Sequence, residues 1–293
     1  MEIIVGKKAG FCGGVKRAVE ETEKFTYQNA EKVSYCLGNL VHNPVIMEKL
    51  FKNGLKVVKN LEEIKENQAS VIIRAHGVEK NIYEEAEKKG FHLIDLTCPK
   101  VIQIHDIAKE YAEKGFYIFL IGEKTHAEVI GTSSFCGDYY SIIEKDNQVP
   151  EAIQSFKTSQ KEKLLIISQT TFHLEKFEKI ISMIKQELEN TAEIVIKNTI
   201  CDATRLRQEE TEKLASQVDY MIIIGGRNSS NTNKLYEISC ENCENVVFIE
   251  EAKELSSEKI EEMKKYDKIG IMAGASTPQN SIDEVRSLFR ESL

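Results

Sequence analysis

LIDLTCPKVIQIHDIAKEYAEKGFYIFLIGEKTHAEV, residues 93–129, holds in one run the unit from which most of the chain is built. An apolar strand candidate leads to Cys98. VIQIHDIAKEYAEKG then reads as a helix with a charged outer face, and YIFLIG as a strand ending in a glycine. The polar loop that follows carries His126 and Glu128. Short apolar runs alternating with amphipathic helices are the pattern of βα units and mainly parallel sheets.

The same order recurs on both sides. VGKKAGFCGGV (5–15) and VIKNTICDATR (195–205) bring Cys12 and Cys201 to the corresponding place. SYCLGNLVHN (34–43) and YMIIIGGRNSSN (220–231) supply the strand, the glycine and the polar loop, with His42 in one and Ser229, Ser230 and Asn231 in the other. Each repeat closes on an apolar strand with a polar end. These are VIIRAHG with His76, LLIISQTT with Gln169 and Thr170, and IGIMAGAST with Ser276. The spacings agree: 30 positions from Cys12 to His42, 28 from Cys98 to His126, 29 from Cys201 to Ser230. Repetition at a fixed period predicts a repeated architecture.

The expected fold is therefore α/β. Three similar, mainly parallel units (1–97 with an N-terminal strand, 98–200, and 201–293 with a C-terminal tail) stand in pseudo-threefold arrangement around a central cavity. Twelve strands are expected: EIIV, KVSYCLG, KVV, SVIIRA, FHLIDL, FYIFLIG, YSII, KLLIIS, AEIVIKN, YMIIIGG, VVFIE and KIGIMAG. In open parallel sheets ligands bind beyond the carboxyl ends of the strands, where the cysteines and polar clusters fall.

Composition narrows the chemistry. A net charge of −8 argues against general nucleic-acid binding, though a pocket's local field can still favour an anion. No apolar stretch reaches the roughly 18–20 residues that span a bilayer. The opening MEIIVGKKAGFCGG lacks a secretory signal's pattern, and the expected compartment is the cytoplasm. Seven cysteines, an odd number, fit a reducing compartment without structural disulfides.

Cys12, Cys98 and Cys201 each lie between a strand and a helix, where the helix N-terminus favours thiolate. Three thiolates suit either zinc or an iron–sulfur cluster. Cys36 reads as core and Cys136 as an element boundary. Cys240 and Cys243 form a CxxC pair with no second pair to complete a zinc site. The His, Ser and Asn residues of the strand ends form a ring of donors suited to phosphate oxygens. With no Walker A or GxGxxG motif, a nucleotide is not indicated. Glu128 is either a proton donor with raised pKa or an ordinary acid of a helix first turn, and Thr170 is placed to relay a proton. His92, His105 and His173 read as structural.

The segments GFCGGVKRA, LGNLVHNP, RAHGV, DLTCPKV, THAEVIGT, SQTTF, NTICDATRLRQ, GGRNSSNTNKL and AGASTP together resemble the 4-hydroxy-3-methylbut-2-enyl diphosphate reductases, iron–sulfur enzymes of the methylerythritol phosphate route to isoprenoids. The resemblance runs nearly the whole chain. It implies one [4Fe–4S] cluster on Cys12, Cys98 and Cys201, with an open iron that takes the substrate's 4-hydroxyl. Two electrons and two protons would remove that hydroxyl as water and give isopentenyl and dimethylallyl diphosphate. It implies Glu128 as proton donor and Thr170 beside the hydroxyl. His42, His76, His126, Ser229, Ser230, Asn231 and Ser276 would hold the diphosphate, with Gln169 in support. An external donor such as a ferredoxin or flavodoxin would supply electrons. Two positions depart from the family pattern: Ala127, often proline there, and Asp202, more often apolar or aromatic. At the level of the residues alone, a zinc-dependent hydrolase or lyase of a phosphorylated metabolite, or a cluster-bearing carrier or redox sensor, stays open.

Overall fold

The computed structural model describes residues 1–29 and 33–289. The chain starts with β1 (Glu2–Val5) and α1 (Gly13–Gln28). It continues through β2 (Ser34–Leu37), α2 (Pro44–Lys52), β3 (Leu55–Val58), β4 (Ser70–Ile73), α3 (Lys80–Lys88) and β5 (His92–Asp95). The second stretch holds α4 (Pro99–Glu113), β6 (Tyr117–Ile121), α5 (Ala127–Ser133), β7 (Tyr140–Ile143), α6 (Val149–Thr158), β8 (Lys163–Ser168), α7 (Leu174–Leu188) and β9 (Glu193–Ile196). The third holds α8 (Asp202–Ala215), β10 (Tyr220–Ile224), α9 (Ser230–Asn242), β11 (Val246–Ile249), α10 (Ser257–Met263), β12 (Lys268–Ala273) and α11 (Gln279–Ser287).

These strands build three parallel four-stranded sheets of identical order: β3-β2-β4-β5, β7-β6-β8-β9 and β11-β10-β12-β1. In each, the strand preceding a cysteine closes the edge. β5 pairs with β4 ahead of Cys98, and β9 with β8 ahead of Cys201. β1 runs along β12, Glu2 beside Lys268, ahead of Cys12. The N-terminal strand thus lies in the sheet of residues 220–273. A structural repeat accordingly runs from one cysteine onward to the strand before the next.

The central strands are buried on both faces, which is why they read as unbroken apolar runs. All five residues of β6 (YIFLI) and of β10 (YMIII) are buried. Alternation still sorts their side chains. Phe119, Ile121, Leu164 and Ile166 pack with α6 and α7 through Ile153, Phe156, Ile180 and Ile184. Ile118, Leu120, Leu165 and Ile167 face Ile104 and Ala108 of α4. The helices are opened by sequence-encoded caps: Asn43 accepts from the Ile46 N–H, and Ser256 from that of Lys259.

The chain folds as two compact units. One contains the third sheet with α1, α2 and α8–α11. The other contains the first and second sheets with α3–α7. Among the described residues no helix is long and apolar enough to cross a membrane.

Candidate active site

One local geometry occurs three times. The amide of Cys12 donates to the Ala275 carbonyl at 3.1 Å, that of Cys98 to Ala75 at 3.0 Å, and that of Cys201 to Thr170 at 3.0 Å. Each acceptor stands two residues past the end of β12, β4 or β8. Just beyond it, a turn closes through Thr277 to Gly274, Gly77 to Arg74 and Phe172 to Gln169. Each cysteine then starts a helix. Cys12 caps α1, its Sγ accepting from the Val15 N–H at 3.5 Å. Cys98 caps α4 ahead of Pro99, and Cys201 directly precedes α8. All three are half-buried and none is in a disulfide.

The other thiols sit differently. Burial pushes Cys36 and Cys136 up to about 12, so both are neutral core groups. Cys240 is exposed at the end of α9, and burial raises Cys243.

In the unit with the first two sheets, Glu128 enters from the first turn of α5 and is 2% exposed. Both its oxygens bond to one residue: Thr170 N donates to Oε1 and Thr170 Oγ1 to Oε2, each at 2.6 Å. Those bonds favour the carboxylate, but burial outweighs them and pushes the group up to about 7. His126 caps the same helix, Nδ1 accepting from the Glu128 N–H at 3.2 Å. With Nδ1 accepting there, Nε2 is the ring nitrogen left to donate. His76 meets it edge-on, centroids 5.3 Å apart. Gln169 spans two loops: Oε1 accepts from Glu123 N at 3.0 Å, and Nε2 donates to Thr171 Oγ1 at 2.8 Å.

The other unit gathers His42, Ser276 and the start of α9. Ser276 Oγ donates to the His42 carbonyl at 3.4 Å. Gly226 lies against that same carbonyl so closely that a Cβ would collide with it. Ser229 caps α9 through Oγ, which accepts from Thr232 N at 3.3 Å. Ser229, Ser230 and Asn231 are all buried. The Asn231 Oδ1 and Nδ2 atoms have no hydrogen-bond partner among the described residues. A buried amide left unmatched is costly, which marks a place for a polar ligand.

The residue reading missed Arg207. Its Nε donates to the Lys8 carbonyl, Nη2 to Gly10 and Nη1 to Ala203, each at 2.9 Å. Glu210 adds its carboxylate to the Lys7 and Lys8 amides. α8 thereby holds the loop that carries Cys12. Arg207→Ala is expected to cost about 2–4 kcal/mol, because it removes a buried side chain and the donors of three carbonyls, that of Gly10 in a buried contact. Urea unfolding measures this, and a loss under about 1 kcal/mol would show that the loop holds itself.

The chain matches the LytB protein family model over residues 3–290. It is 39% identical over 291 residues to the 4-hydroxy-3-methylbut-2-enyl diphosphate reductase of Thermoanaerobacter sp. strain X514, covering 99% of this chain and 97% of the relative. The reductase of that name from Clostridioides difficile strain 630 is 40% identical over 296 residues, with both chains covered in full. Two solved structures are similar. One is (E)-4-hydroxy-3-methyl-but-2-enyl diphosphate reductase, described as the terminal enzyme of the non-mevalonate pathway. It has 39% identity and a TM-score of 0.69, covering 98% of this chain and 99% of that one. The other, the E-1-hydroxy-2-methyl-but-2-enyl-4-diphosphate reductase of Plasmodium falciparum, has 29% identity and a TM-score of 0.87, covering 99% and 88%.

Proposed function

The chain belongs to the LytB family, and on that premise we propose that it is a 4-hydroxy-3-methylbut-2-enyl diphosphate reductase whose Cys12, Cys98 and Cys201 hold a [4Fe–4S] cluster. The observation that carries the reading is the threefold repetition of one backbone geometry around these cysteines. Their chemistry fits the group: three half-buried thiols outside any disulfide, soft ligands suited to an iron–sulfur site. A bound cluster supplies electrons and a Lewis-acidic iron for breaking the carbon–oxygen bond. The overall change consumes two electrons and two protons, releases the 4-hydroxyl as water, and gives isopentenyl and dimethylallyl diphosphate. An external ferredoxin or flavodoxin supplies the electrons.

The chain's own residues bind and move protons. With a pKa of about 7, Glu128 holds a proton in a buried place. When it is protonated, its carboxyl can donate to Thr170 Oγ1, freeing the Thr170 hydroxyl to point at the substrate's hydroxyl. His126 donates from Nε2 because its Nδ1 is committed to the Glu128 amide. Ser229 accepts from Thr232 and keeps its own O–H for a phosphate oxygen. The unmatched amide of Asn231 supports a role in the same binding, with His42, His76, Ser230 and Ser276 as further donors. Gln169 holds the Thr170 loop in place.

The test is iron and acid-labile sulfide per chain on protein purified without oxygen, followed by turnover with a reduced donor. About four of each, as such a cluster requires, with consumption of the diphosphate substrate, is the expected result. Zinc without sulfide after anaerobic reconstitution, and no reductive turnover, would overturn the proposal in favour of a zinc-dependent hydrolase or lyase.

A further inference from the structure

The chain leading into Cys12 breaks the threefold repeat. Before Cys98, the Leu96 amide donates to the Ile73 carbonyl and the Cys98 amide to Ala75. Before Cys201, Lys197 donates to Ile166 and Cys201 to Thr170. In both, the chain and its neighbour advance by equal steps. Before Cys12, Gly6 donates to Ile271, Gly10 to Ala273 and Cys12 to Ala275. From Gly6 to Gly10 the chain takes four steps while its neighbour takes two, so two residues are surplus. They are looped out as a β-turn. The Ala9 amide donates to the Gly6 carbonyl at 3.1 Å, which puts Lys7 and Lys8 at the two corners.

This turn is held rigidly from its inner side and charged on its outer one. The Lys7 and Lys8 amides donate to the two oxygens of Glu210, at 2.8 and 2.6 Å. Arg207, itself buried, holds the carbonyls of Lys8 and Gly10. Both lysine side chains are exposed, and among the described residues neither ammonium is in an ion pair. The positive charge extends past the turn. From Ile3 to Val19 the sequence has four bases, Lys7, Lys8, Lys16 and Arg17, and no acid, in a chain of net charge −8. The stretches around the other cysteines are mixed, with Asp95 before Cys98 and Glu193 and Asp202 flanking Cys201. One cysteine of the three thus stands beside a fixed, exposed pair of unpaired cations.

We propose that the Lys7–Lys8 turn is the docking point for a small acidic electron-carrier protein. This rests on the reductase reading, in which each substrate reduced takes two electrons from outside the chain, and it names where they arrive. Each reduced carrier gives up one electron and leaves oxidised, so two encounters complete a turnover. Electron-transfer partners meet through small, weak interfaces, where complementary charge governs the rate of encounter. The turn lies four residues before Cys12, so a carrier held there meets the chain next to a cluster ligand of the proposed site.

The test uses the holoenzyme, with a reduced acidic ferredoxin as one donor and the methyl viologen radical cation as the other. The small cationic dye needs no protein docking surface. In K7E/K8E, the Kd for oxidised ferredoxin measured by calorimetry, and the KM for reduced ferredoxin, are expected to rise about 10- to 100-fold at low salt. The salt dependence of both should flatten. Turnover with methyl viologen, the KM for the diphosphate substrate, and iron and sulfide content should match wild type. New carboxylates near Glu210 could disturb the turn, so K7Q/K8Q is measured alongside, with a smaller loss of the same kind expected. K264E/K265E carries the same change in net charge at the opposite end of β12 and should leave ferredoxin binding within about twofold of wild type. Unchanged ferredoxin binding in both turn variants overturns the proposal. So does an equal loss with both donors, the pattern of a merely structural turn, or a raised diphosphate KM with ferredoxin binding intact, the pattern of substrate steering. A wild type that turns over with methyl viologen but binds no ferredoxin overturns this inference alone. A wild type that reduces the substrate with neither donor overturns the reductase reading and this inference with it.

Discussion

Glu128→Gln is expected to lower kcat by about 100- to 10,000-fold, the usual contribution of a positioned acid, while KM stays within about threefold. The amide is nearly isosteric. Its Oε1 can accept from Thr170 N, and its Nε2 can donate to Thr170 Oγ1, so both contacts of the native pair survive. What disappears is the transferable proton. Burial holds the native group at about 7, so wild-type turnover should fall as pH rises through that value and the acid ionises. The variant should lack that limb. Stability gives an independent check. The folded pKa lies above the ordinary 4.5, so the folded state binds the proton more tightly than the unfolded one. Stability is therefore present at low pH and is lost as pH rises from about 4.5 through 7. Glutamine should abolish that loss. Near-normal turnover in the variant would remove Glu128 from the proton path.

Cys201→Ser is expected to lose most of its iron and sulfide under anaerobic purification, while Cys240→Ser keeps both. A serine oxygen is a hard ligand and a poor substitute for thiolate at an iron–sulfur site. The substitution leaves the backbone bond from residue 201 to the Thr170 carbonyl available, so the fold around the Glu128–Thr170 pair should persist and circular dichroism should be unchanged. Cys240 is exposed at the far end of α9, outside the repeated geometry. Normal iron content in Cys201→Ser would break the assignment of the three cysteines as a set.

Much of this was readable from the residues. All twelve expected strands form, because strands buried on both faces must be continuously apolar. The cysteines stood out because equivalence in a repeat outweighs the weak signal of any one thiol. The edge partner of β1 was not readable, since an apolar run does not name its neighbour. Its pairing with β12 joins residues as far apart as Glu2 and Lys268. Arg207 was hidden for another reason. TRLRQEETEKLASQ reads as a solvated helix face, and only the fold reveals that Arg207 turns inward to three carbonyls. Glu128 sits in a helix first turn and is also a buried acid bonded to Thr170; the burial could not be read from THAEV alone. The capping of α5 by His126 Nδ1 is a detail that depends on where the helix begins.

β1 is synthesised long before the strand it pairs with. β1 hydrogen-bonds only along β12 within its sheet, and the Cys12 amide needs the carbonyl of Ala275. At about 5–20 residues per second, tens of seconds of synthesis separate the two. During that interval β1 is an unsatisfied edge, and Cys12 lacks the support that Cys98 gains from Ala75 only 23 residues upstream. The first and second sheets can form while the chain is still growing, but the third cysteine site to become ordered is the first one translated. Loading of a group that needs all three thiols must therefore wait until β12 and Ala275 have been made, and a nascent chain stalled before Lys268 would present a bare strand to its neighbours.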